Sequence, residues 1–207
     1  MPFVNGAPLD EDGVCPLCRR GLRGFDAAYC YGAYEGRLRK LIHLFKYDRM
    51  RPLASHLGRL MAAALPAGEQ VDAVVPVPLH WRRRWGRGFN QSELLARVVA
   101  RRYGLKVCPA LGRGRATASQ AGLTSPMRRA NVAGAFSVRR RQEVENRRVL
   151  LVDDVITTGA TASACGAALK RAGARRVTVL TLARVDRRAG VENRPEPAAQ
   201  GAAACQA

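Results

Sequence analysis

Residues 149–161 read VLLVDDVITTGAT, with two adjacent carboxylates, Asp153 and Asp154, between an apolar run and a loop of small hydroxylated residues. Thr157, Thr158, Gly159, Ala160 and Thr161 lead into a segment of helical composition. Backbone N–H groups at a helix N-terminus lack intrahelical partners and sit at the positive end of the dipole. Threonine hydroxyls add donors, and glycine lets the backbone close around an anion. That loop suits a phosphate. The carboxylates beside it would repel one, so they suit neutral hydroxyls nearby or a bridging divalent cation. Phosphate, hydroxyls and a metal together point to a ribose 5-phosphate bearing more phosphate.

Three other readings compete. Receiver domains contain VLLVDD at their start, but here only 46 residues follow Thr161, too few for the rest of such a fold. A Walker B strand looks similar, yet the chain has no GxxxxGK[ST] loop to accompany it. A buried strand with a helix-capping aspartate explains one carboxylate and not two.

The elements that must position these residues follow from periodicity. RLRKLIHLFKY, from Arg37, has helical spacing with Leu38, Leu41, Ile42 and Phe45 on one face. Pro52 opens a second helix, LASHLGRLMAAAL, which ends at Pro66. VDAVVPVPL (71–79) reads as a buried strand, WRRRWGRGF (81–89) as a loop, and Asn90 with Glu93 as a capping box for a helix stopping at Gly104. KVCPAL and AFSV read as short strands, and 112–131 as a long Gly-, Arg-, Thr- and Ser-rich loop. RRVLLVDDV is a buried strand, TASACGAALKRAG (161–173) a helix and RRVTVLTLAR another buried strand. Strands alternating with helices predict an α/β fold with a largely parallel sheet. Residues 1–30 are polar and lack periodicity, and 186–207 have the composition of a disordered tail. The resulting division is 1–30, a helical 31–70, a core domain over 71–185 and the tail.

The chain has 207 residues and formal charge +19, carried by 31 arginines and only 4 lysines against 16 acidic residues. A field this positive favours nucleic acid or small phosphorylated ligands. No run of 18 apolar residues predicts a membrane span, and the acidic N-terminus does not read as a signal peptide, so a cytoplasmic protein without membrane attachment is expected. Of six cysteines, Cys108 and Cys165 fall in apolar segments and read as core residues; Cys15 and Cys18 have zinc-knuckle spacing. Cys30 is a possible third ligand, but no fourth follows, so one pair does not close a tetrahedral site. His43, His56 and His80 form no metal-spaced pair.

VLLVDDVITTGAT resembles the phosphoribosyl pyrophosphate (PRPP) motif of type I phosphoribosyltransferases at all thirteen positions. VPVPLHWRRRWGRGFNQSELLA and LGRGRATASQAGLTSPMRRANVAGAF, in that order before it, narrow the resemblance to the ComF (competence protein F, GntX-like) family, over roughly residues 15–185. The resemblance implies the type I phosphoribosyltransferase fold, with PRPP or another ribose phosphate and Mg2+ as ligands. It implies that Asp153 and Asp154 contact the ribose hydroxyls and that Thr157–Thr161 wrap the 5-phosphate. Arg87, Gly88, Arg113 and Gln120 would face the pyrophosphate, the last two from a loop that closes over the reacting centre. Chemistry, if any, would be displacement of pyrophosphate at C1 of the ribose; no acceptor pocket is marked. The family association with natural transformation implies an alternative: a non-catalytic module binding single-stranded DNA, or competence and replication-restart proteins. It also implies a first Cys-x-x-Cys pair ahead of Met1-Pro2-Phe3, and hence an upstream start and a halved zinc site.

Overall fold

The computed structural model describes residues 24–47, 50–79, 88–114 and 134–185. Four parallel strands form the main sheet: β1 (Ala27–Ala33), β2 (Ala73–Pro76), β5 (Arg148–Ile156) and β6 (Arg176–Arg184), in the order β1-β6-β5-β2. A two-stranded antiparallel ribbon, β3 (Leu111–Arg113) with β4 (Phe136–Val138), stands apart. The helices are α1 (Gly36–Tyr47), α2 (Leu53–Ala63), α3 (Gln91–Arg102) and α4 (Ala160–Arg171). Among the described residues no helix is long and apolar enough to cross a membrane.

The central strands are apolar on both faces because helices cover both. Val149, Leu151, Val177 and Val179 pack with Cys165 and Leu169 of α4. Leu150, Val152, Leu180 and Leu182 pack with Ile42 and Phe45 of α1, Leu57 and Met61 of α2, and Leu95 and Val99 of α3. Alternation along a strand therefore decides which layer each residue meets. The apolar face expected for α1 is the one that packs, with Ile42 and Phe45 fully buried and Leu38 and Leu41 partly so.

Several expectations need correction. The polar segment 1–30 contains the start of β1, whose residues alternate between partly and fully buried and pair with β6 from Ala27↔Thr178 to Ala33↔Arg184. Two tyrosines, a glycine and small residues carried this strand, so hydropathy did not reveal it. β1 crosses the boundary drawn at residue 30, and α1 and α2 share one core with β5 and β6. KVCPAL is not a strand: only Val107 bridges, to Val74 of β2, and pairing resumes at Leu111. Pro109, lacking an N–H, stands between them. The loop expected over 112–131 begins inside β3, so Arg113 sits on a strand. The capping box is half present: the Asn90 side chain accepts from Ser92 N at 3.2 Å, but Glu93 pairs with Arg97 at 2.8 Å.

Candidate functional site

β2 ends its ladder with Pro76 opposite Val152, and Val77 N donates once more to the Val152 carbonyl at 2.9 Å. β5 continues to Ile156 against β6 alone, with Asp153 beside Thr181 and Val155 beside Ala183. The flank that β2 leaves open is where a cleft of about 430 Å3 forms at the carboxyl ends of the strands. Ligands of open α/β sheets bind in this position. Asp153, Asp154, Thr157, Gly159, Ala160, Thr161 and Arg113 all line it.

Consecutive residues on a strand point to opposite faces, so Asp153 and Asp154 find different partners. Asp153 accepts from Ser92 Oγ at 2.9 Å and from the Asp154 backbone N–H at 2.9 Å. Burial, helped by the charge of Asp154, pushes the Asp153 carboxyl from an ordinary 3.8 up to about 7, against the Ser92 hydrogen bond and the charge of Lys46. Asp154 turns toward α1, where Lys46 Nζ lies 3.0 Å from Oδ2, both side chains being largely buried. Burial pulls the Lys46 ammonium down, but Asp154, with Asp153 and Tyr34 behind it, lifts it above its usual value overall. The Cys165 thiol is buried near Asp153, and burial raises it well above the usual range, so it is inert packing.

The loop after β5 takes the conformation its glycine permits. Gly159 has φ +75 and ψ −1 and stands at the N-cap of α4. Thr158 is buried, and its Oγ1 accepts from Ala160 N at 3.4 Å, so it holds the turn and does not line the cleft. Arg113 reaches the cleft from β3, its guanidinium 5.2 Å from the Phe136 ring centre. Gly88, with φ +76, accepts from Arg51 Nη2 at 3.1 Å and is not among the cleft residues. Arg87, Gln120, Cys15 and Cys18 lie outside the described residues, as does the tail 186–207. Cys30 is buried within β1, and among the described residues no group of three or more His, Cys, Asp or Glu could hold a metal.

The phosphoribosyl transferase domain family matches residues 90–201 of this chain. The chain belongs to that family. Within it, relatives named for DNA utilization and competence stand nearby, as the ComF resemblance implied. The DNA utilization protein YhgH of Escherichia coli O157:H7 is 40% identical over 158 residues, covering 73% of this chain and 69% of that protein. Competence protein F of Haemophilus influenzae is 33% identical over 178 residues, covering 82% and 78%. The solved structure of the allosteric regulatory enzyme of purine biosynthesis aligns at 25% identity with a TM-score of 0.45, over 63% of this chain and 25% of that one.

For this phosphoribosyl transferase domain protein, sequence reasoning missed Lys46, Ser92, Tyr34 and Tyr47, all cleft-lining. Lys46 and the two tyrosines come from segments before the family match. One signal existed: Lys46 is one of only 4 lysines in an arginine-rich chain, and it directly follows the buried Phe45.

Proposed function

We propose that the cleft binds PRPP. One observation carries this reading: the left-handed Gly159 turn capping α4 and the Asp153–Asp154 pair open into the same cleft. The 5-phosphate lies against the 157–161 turn at the N-terminus of α4, where the helix dipole favours an anion. The ribose hydroxyls donate to the aspartates, which supply charged acceptors. Arg113 holds the pyrophosphate, and its fork of donors stabilises the charge that develops there on departure. Among the described residues no group of three or more His, Cys, Asp or Glu could hold a metal by itself, so the Mg2+ that the family resemblance implies would come with the pyrophosphate, whose charge it would neutralise. Titration calorimetry with PRPP and Mg2+ tests the binding. Pyrophosphate release across a panel of nucleobases tests turnover.

The charge of +19 favours a second reading, a non-catalytic module for single-stranded DNA in competence or DNA utilization, the roles named in its relatives. Silence across the base panel, with salt-sensitive binding to single strands, would select it.

A further inference from the structure

Four charged side chains among the described residues line the cleft, Lys46, Arg113, Asp153 and Asp154, and of these Lys46 is the one that neither the sequence motif nor the PRPP reading uses. It comes from the last turn of α1, a position where a lysine ordinarily extends into water. Here only 16% of the side chain is exposed, and its ammonium is spent on Asp154, itself 13% exposed, at 3.0 Å. Asp153 and Tyr34, which line the same cleft, add electrostatic support for its charge. Burying an ammonium is costly unless a partner compensates, so this placement requires Asp154 as much as Asp154 requires Lys46.

We infer that Lys46 is the resident counter-cation of the acidic pair and the positioning residue for Asp154, delivered by a helix outside the matched domain. Two adjacent carboxylates at a cleft otherwise attract a divalent cation. With Lys46 seated on Asp154, the pair is charge-compensated from within, so it receives the hydroxyls of a sugar and not a bare metal ion. Magnesium would then arrive with the pyrophosphate. The part that concerns sugar binding rests on the PRPP reading; the part that concerns the bare metal does not.

The test uses the full-length protein and two probes. Mn2+ alone is titrated by electron paramagnetic resonance against wild type, Lys46→Gln and Lys46→Arg, with melting curves to verify folding. Lys46→Gln should bind Mn2+ at least fivefold more tightly than wild type, a gain that mere loss of packing would not produce, and Lys46→Arg should return to the wild-type level. Calorimetry with PRPP and Mg2+ should show Lys46→Gln weakened at least tenfold, with no further loss when Asp154→Asn is added. Unchanged Mn2+ affinity in Lys46→Gln, or an arginine variant that behaves like glutamine, overturns the inference whatever PRPP does. Should the glutamine variant fail to fold, Lys46→Met takes its place. A wild type that does not bind PRPP contradicts the proposed function and leaves the Mn2+ comparison to judge Lys46.

Discussion

Ser92 Oγ donates to Asp153 Oδ1 at 2.9 Å, tying the first turn of α3 to a strand 61 residues later in the chain. The same Ser92 gives its backbone N–H to the Asn90 cap, and Asn90 Nδ2 donates to the Val77 carbonyl at 3.1 Å. A helix start, the end of β2 and the acidic pair are thus one connected network. Removing the hydroxyl withdraws a hydrogen bond that lowers the Asp153 pKa, so the carboxyl of Ser92→Ala titrates higher. PRPP affinity at neutral pH should fall by about 0.5–1.5 kcal/mol and recover partly at pH 8.5, measured by calorimetry across pH.

The raised Asp153 gives a pH signature of stability. Its folded value of about 7 exceeds its unfolded one near 3.8, so the fold favours the protonated carboxyl. That contribution is fully present below the unfolded value and is lost as pH rises toward 7, by up to about 1.4 kcal/mol per pH unit. Asp72 acts oppositely: hydrogen bonds from Arg148 hold it at about 2, so its contribution is present above 3.8 and lost as pH falls toward 2. Chemical denaturation should show stability declining from pH 5 to 7.5 in wild type. Asp153→Asn should flatten that decline and be the more stable protein at pH 8. A parallel decline in both proteins would count against the burial of Asp153.

Gly159 adopts a backbone conformation that costs a side chain about 1–2 kcal/mol. Gly159→Val should abolish PRPP binding, because a branched side chain cannot follow the turn that caps α4. Thr158→Ala should be milder, since Thr158 Oγ1 supports the turn from behind. Normal PRPP affinity in the valine variant would move the phosphate elsewhere.

The layer that carries Lys46 depends on close packing of α2 on α3. A Cβ on Gly58 would meet Val98 Cβ at 2.5 Å, inside contact distance. Gly58→Ala should therefore destabilise by about 1–3 kcal/mol despite better helix propensity, read by denaturant unfolding. An unchanged midpoint would mean that α2 and α3 can slide apart freely.

The acidic pair and its glycine turn were legible because their chemistry is local: strand, carboxylates, turn and helix follow one another over 149–171. The helices were legible from apolar periodicity, and β5 and β6 from unbroken apolar runs. β1 was not, because AAYCYGA buries small residues that carry little hydropathy and gains its register from β6, about 150 residues on. Lys46 was not, because its meaning depends on Asp154, 108 positions later in number. A charged residue closing an amphipathic helix reads as solvated until its partner is in place. Ser92 was hidden by Asn90, whose capping role accounted for the local pattern.

The central claim is that Asp153 and Asp154 receive the ribose of PRPP. Calorimetry of PRPP with Mg2+ against wild type and the Asp153→Asn/Asp154→Asn double variant tests it most directly. The account predicts a folded double variant whose affinity falls by a few kcal/mol, since charged hydrogen bonds are worth about 1.5–3 kcal/mol each. Equal PRPP affinity in the two proteins would contradict it.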